Sequence, residues 1–169
     1  MINEKMEQAF NDQINKEFYS SYLYLSMAAY LQEIGLTGFA SWMRVQVQEE
    51  TFHATAMLDY LLERGGNVKL EAIPAPPHKW VNVLEVFEET LKHEQQISAW
   101  VNDLADVADE QRDRAAATFI QWFIKEQVEE EATASDILAK LKLINLNGDA
   151  LFSMDKDLST RTFVQPVIN

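Results

Sequence analysis

The chain has 169 residues, 47% of them hydrophobic, and a formal net charge of −13 from 14 Lys and Arg against 27 Asp and Glu. That length can bury a sizeable core in one domain, taken as residues 1–169, and the acidic balance lacks the basic footprint that nucleic acid requires. The absence of Cys excludes disulfides, thiolate metal sites and thiol nucleophiles. With no leader-like start in Met1-Ile2-Asn3-Glu4-Lys5 and no apolar run of membrane length, a cytoplasmic protein without a membrane partner is expected.

Apolar residues at steps of three and four predict four long helices. The first, over Glu4 to Leu36, carries Phe10, Ile14, Glu17, Ser21, Tyr24, Ala28 and Leu31, and stops at Gly35-Leu36-Thr37-Gly38. The second, over Phe39 to Arg64, carries Phe39, Met43, Gln46, Glu50, His53, Met57 and Leu61, and ends at Gly65-Gly66. The third, over Val83 to Ala108, carries Leu84, Phe87, Leu91, Glu94, Ser98, Val101 and Ala105. A polar break at Asp109-Glu110-Gln111 precedes the fourth, which runs to Asn145 with Ala116, Ile120, Phe123, Gln127, Glu130, Ala134, Ile137 and Leu141 on one stripe. Asp149 is the expected N-cap of a short fifth helix through Leu158, and the remainder to Asn169 is expected to be irregular.

Tight joints make hairpins of helices one and two and of helices three and four. Between the hairpins lies Asn67 to Asn82, with Pro74, Pro76 and Pro77. Extended, it reaches roughly 50 Å, enough to return along a helix of about 39 Å. The expected fold is therefore an all-α four-helix bundle with one long crossover between helices two and three.

The polar residues inside the stripes carry the chemistry. Glu17 and Glu94, Glu50 and Gln127, and His53 and Glu130 are pairs of equal sequence separation, so two helix pairs aim similar ligands at one depth. A single glutamate in such a stripe ordinarily snorkels to water. Four at one level would each cost several kcal/mol if unpaired, and no Lys or Arg lies in the stripes to neutralise them. Four carboxylates with neutral His53 and Gln127 balance two divalent metals. Oxygen donors with one imidazole and no sulfur suit iron or manganese. Glu50 and His53 are three apart and can face one point, and Gln127 and Glu130 repeat that spacing. His93, next to Glu94, is rotated away and expected to be solvated, and His78 is expected to be a loop residue.

With Glu17 and Tyr24 on helix one, Glu49-Glu50-x-x-His53 on helix two, Glu94 on helix three, and Trp122 with Glu126-Gln127-x-Glu129-Glu130 on helix four, the chain resembles the bacterial non-haem ferritins over essentially its whole length. The resemblance implies a ferritin-like bundle and an iron-storage protein with ferroxidase activity. Glu17, Glu50 and His53 would bind one iron, while Glu50 as bridge, Glu94 and nearby Gln127 would bind a second, with Glu130 at its edge. Glu49, Glu126, Glu129 and Glu130 would form a third iron site, and Tyr24 and Trp122 would assist electron transfer. It further implies dioxygen or hydrogen peroxide as oxidant, a shell of 24 identical subunits and a ferric mineral. Bacterioferritins differ in carrying Glu-x-x-His on helix four and a Met haem ligand, where this chain has Gln127-x-x-Glu130 and Phe52, so no haem is expected.

Overall fold

The computed structural model describes residues 1–168. Five helices appear in chain order: α1 (Glu4–Glu33), α2 (Thr37–Glu63), α3 (Val83–Glu110), α4 (Arg114–Ile144) and α5 (Gly148–Leu158). The expected four-helix bundle, single long crossover and short fifth helix are all present.

The pairing of residues fixes the directions. Phe10 meets Tyr60 while Ser21 meets Val47 and Thr51, so α1 and α2 are antiparallel. Lys16 lies over Trp100, and Thr90 donates to Met27, so α1 and α3 are also antiparallel. Helices α2 and α3 therefore run the same way, which is what the crossover accomplishes.

That crossover is held by a side-chain ladder. Glu7, Asn11 and Asn15 stand four apart on one face of α1. Their carboxylate and amide oxygens accept from the N–H groups of Asn67, Lys69 and Glu71 at 3.1, 2.7 and 3.0 Å. The Asn11 and Asn15 amides donate back to the carbonyls of Asn67 and Lys69. Four helical residues rise about 6 Å and two extended residues about 6.6 Å, so the two repeats keep step.

Helix ends differ from the sequence expectation for identifiable reasons. Helix α1 stops at Glu33 because Gly35 takes φ 85°, a left-handed conformation natural to glycine. Helix α2 starts at Thr37, two residues early, because Asp155 of α5 accepts from the Gly38 and Phe39 N–H groups at 2.8 and 3.0 Å. Helix α3 continues through Asp109 and Glu110. The turn falls instead at Arg112, φ 52°, and Asp113 then caps α4 through the Ala116 N–H. Helix α4 ends at Ile144, where Asn145 turns left-handed. Asn147, not Asp149, caps α5, accepting from the Ala150 N–H at 3.2 Å.

Every stripe residue expected on α1, α2 and α4 is buried. On α3 the buried face is Val83, Val86, Phe87, Thr90, Glu94, Ile97, Val101, Leu104 and Ala108, while Leu84, Leu91, Ser98 and Ala105 lie at its border. The core forms two apolar clusters. One gathers Met27, Leu31, Phe39, Met43, Phe87 and Leu141; the other gathers Met6, Phe10, Met57, Leu61, Leu104 and Ile120. Between them lies a polar layer.

Candidate metal centre

Four helices supply the polar layer: Gln13 and Glu17 from α1, Gln46, Glu50 and His53 from α2, Glu94 from α3, and Gln127 and Glu130 from α4. Glu17, Glu50 and Glu94 are at most 1% exposed, His53 is 3%, and Glu130 is 8%. One-turn spacing along each helix makes this layer. His53 follows Glu50 by three positions, and its ring nitrogen Nδ1 sits 3.4 Å from Glu50 Oε2. Ligand atoms of Glu17, Glu50 and His53 all fall within 4.8 Å of one another. Glu94 stands outside that trio, accepting from the Tyr24 hydroxyl and from Gln127 Nε2, the latter at 3.1 Å.

Glu17 Oε2 and both oxygens of Glu50 are buried without a hydrogen-bond donor. An orphaned buried carboxylate oxygen is costly, and three that converge beside an imidazole make a group able to hold a cation. A divalent ion would satisfy them, and Glu50, with two free oxygens, can bridge two ions.

Electrostatics point the same way. Burial, followed by the charges of Glu94 and Glu17, pushes the Glu50 carboxyl well above its usual range. Glu94 is pushed up to about 8 by burial and by Glu130, against the hydrogen bonds from Tyr24 and Gln127. Burial lowers His53 and so keeps its imidazole neutral, the ligand form. Burial and the neighbouring carboxylates hold the Tyr24 phenol protonated. The layer therefore takes up protons when no cation is bound and gives them up when one binds.

The remaining residues singled out from sequence lie at the edge. Glu49 is 21% exposed and pairs with Arg161 at 2.6 Å; burial and Glu130 nonetheless push its carboxyl up to about 7. Glu126 is half-buried, raised by burial and by Glu129 and Glu130, while Glu129 is exposed. Trp122 is half-buried and meets the His53 ring edge-on, at 5.6 Å between centroids.

One expectation is corrected. His93 is half-buried rather than solvated. Its Nε2 lies 2.9 Å from Ser20 Oγ, its ring packs edge-on against Tyr24, and burial lowers it to about 4. The centre also has a nearby cation, because Arg161 reaches it from the segment after α5, which no helical stripe could reveal. Sequence reasoning missed Gln13 as well, whose amide donates to Glu17 Oε1 at 2.6 Å. Its signal was available, since it lies one helical turn before Glu17. His78 is an exposed crossover residue, as expected.

Comparison with known proteins agrees with this architecture. Residues 7–144 match the family described as "Ferritin-like domain". A bacterial non-heme ferritin of Bacteroides fragilis is 46% identical over 162 residues, covering 95% of this chain and 100% of the relative. A probable bacterial non-heme ferritin-like protein of Haemophilus influenzae is 40% identical over 158 residues, 94% of this chain and 96% of the relative. Among solved structures, an engineered closed form of the Archaeoglobus fulgidus ferritin superposes with a TM-score of 0.96 at 50% identity, covering 97% of this chain and 100% of that one. An open-pore ferritin from the same archaeon gives 0.94 at 50% identity, covering 96% of this chain and 99% of that one. No helix among the described residues is long and apolar enough to cross a membrane. Likeness of this extent supports iron storage, and the chain belongs to the ferritin family.

Proposed function

We propose that the chain is an iron-storage subunit with ferroxidase activity, a single domain over residues 1–169 with its reaction centre inside the four-helix bundle. Iron(II) is the substrate. One ion is held by Glu17, Glu50 and His53. A second shares Glu50 and is held by Glu94, with Gln127 beside it and Glu130 at the edge. A pair of iron(II) ions gives two electrons to dioxygen or hydrogen peroxide. The carboxylates favour the higher charge of iron(III), and hydrolysis of the product releases protons to solvent. Tyr24 and Trp122 supply an electron to the centre, a reading supported by the hydrogen bond of Tyr24 to Glu94 and the packing of Trp122 against His53. Glu49, Glu126, Glu129 and Glu130 form a third iron site next to the pair, on the way to a mineral store.

The observation that supports this reading most is Glu50: fully buried, with two oxygens lacking donors, beside Glu17 and His53. Ferritin relatives support assembly into a multisubunit shell, proposed here as 24 copies in the cytoplasm around hydrated ferric oxide. The net charge of −13 suits a surface that attracts cations.

The test is a stopped-flow titration of metal-free protein with iron(II) in aerated buffer. Fast oxidation saturating at two or three irons per chain, followed by slow further uptake, is expected. Saturation at two with no later uptake would mean a discrete diiron enzyme. Glu50→Ala should abolish the fast phase, and an unchanged rate in that variant would remove Glu50 from the bridging role.

A further inference from the structure

We propose that Arg161 is a tethered counter-ion for the third site: its guanidinium holds Glu49 and, through Gln46, Glu130, and an incoming cation takes those carboxylates only by displacing the C-terminal segment. This rests on the assignment of Glu49 and Glu130 as cation ligands given above.

The geometry is that of a fork. Arg161 Nη2 donates to Glu49 Oε2 at 2.6 Å while Nη1 donates to Gln46 Oε1. Gln46 is fully buried and passes the interaction on, its amide nitrogen donating to Glu130 Oε2 at 3.0 Å. The guanidinium lies over the Trp42 ring, 4.5 Å from its centroid. Arg161 and Glu49 are 24% and 21% exposed, so the pair is less screened than a surface ion pair. No other Lys or Arg among the described residues forms an ion pair with a carboxylate of the centre.

The fork is attached to a segment without secondary structure that is held at a few points. Upstream, the Asp155 cap on α2 fixes α5, and Arg161 closes a turn on the Leu158 carbonyl at 3.3 Å. Downstream, Phe163 and Gln165 lie along Val47, Thr51, Phe52 and Thr55 of α2. Val164 and Val167 are 78% and 73% exposed. The charged fork, the Phe163 contact with α2 and, at its far end, Ile168 packed against the second apolar cluster hold this stretch down. A divalent ion outcompetes a single positive charge for Glu49, and once the guanidinium leaves, Gln46 Oε1 loses the donor that fixes the amide against Glu130. Third-site filling and tail release are then one equilibrium, coupled in both directions.

The experiment uses the assembled, metal-free protein and zinc(II), a divalent ion without redox chemistry. Calorimetric titration should resolve two tight binding steps from a weaker third. In Arg161→Gln the third step should tighten about tenfold, the equivalent of about 1.4 kcal/mol, with the tight pair unchanged. Arg161→Lys keeps the charge but loses the fork, and should tighten it less. Because the chain has no Cys, Val164→Cys takes a single nitroxide label. Its spectrum should be restrained without zinc, should become mobile as the third step fills, and should be mobile throughout in the Arg161→Gln background. A third step of parental affinity in Arg161→Gln, or a label indifferent to zinc, overturns the inference while leaving the diiron reading intact. Absence of any tight pair in the parent overturns both.

Discussion

Gly38 lies directly beneath Asp155: a β-carbon at position 38 would fall 1.6 Å from the Asp155 carbonyl oxygen, while the Asp155 carboxylate accepts from the N–H groups of residues 38 and 39. Here the need for glycine is one of space, set by a backbone that has come close in order to cap a helix from another element. Gly38→Ala should push α5 off α2. Asp155→Ala, which removes only the cap, should cost about 0.5–2 kcal/mol, or roughly 2–4 °C of melting temperature per kcal/mol in a chain of this size. Thermal unfolding at matched protein concentration, with hydrogen exchange read over residues 148–158, checks both. Parental protection of α5 in Gly38→Ala would contradict the packing argument.

Replacing Glu50 by Leu removes a buried carboxylate whose oxygens find no donor. The metal-free protein should gain about 1–3 kcal/mol, the penalty of the unmet polar group. Zinc(II) should then lose most of its power to raise the melting temperature, because the folded state no longer binds it preferentially. Calorimetry with and without zinc measures both shifts. A metal-free variant less stable than the parent would mean that Glu50 is well satisfied.

Carboxyls raised by burial give the metal-free protein a pH dependence of definite sign. Glu94, at about 8 in the fold against an ordinary value near 4.5, is protonated when folded and ionised when unfolded through the neutral range. Its stabilising contribution is complete below about 4.5 and is lost as pH rises toward 8. His53 and His93 are lowered, so their opposite trend is confined below about 6.5. Between pH 6.5 and 8 stability should therefore fall, by on the order of 1 kcal/mol per pH unit for Glu94 alone. Saturating zinc should flatten the slope, and binding should release protons, measurable as a buffer-dependent heat. A metal-free stability that rises across that range would refute the assignment.

Asn11 is the middle rung of the ladder holding the crossover. Asn11→Ala removes three hydrogen bonds, two donated (to the Glu7 and Asn67 carbonyls) and one accepted, and should cost about 1–3 kcal/mol. The signature is local: the Lys69 amide, which donates to Asn11 Oδ1, should exchange faster, while amides of the apolar clusters should not. Equal acceleration everywhere would point to global destabilisation instead.

Much of this was legible before the structure because helix periodicity and burial share one cause. Every residue of the α1, α2 and α4 stripes is buried, the polar members Glu17, Glu50, His53, Gln127 and Glu130 included, although the buried faces are wider than the stripes and also take in Gln13, Met27 and Trp42. On α3 the reading drifted to Leu84, Leu91 and Ser98, because apolar residues flank the true face on both sides and the period alone cannot choose between adjacent rows. What stayed hidden has no period. Asp155 caps a helix 117 positions away in sequence, and Arg161 reaches Glu49 across 112. Contacts of that kind depend on how α5 docks, not on any local pattern.

The two apolar clusters also decide how matter moves through this subunit. They cork the bundle above and below the polar layer, so nothing charged can travel lengthwise along about 40 Å of helix. Sideways, only one helix spacing of about 8–10 Å separates the layer from water. The subunit is a wall sealed along its length, with its polar layer nearest to water across its thickness.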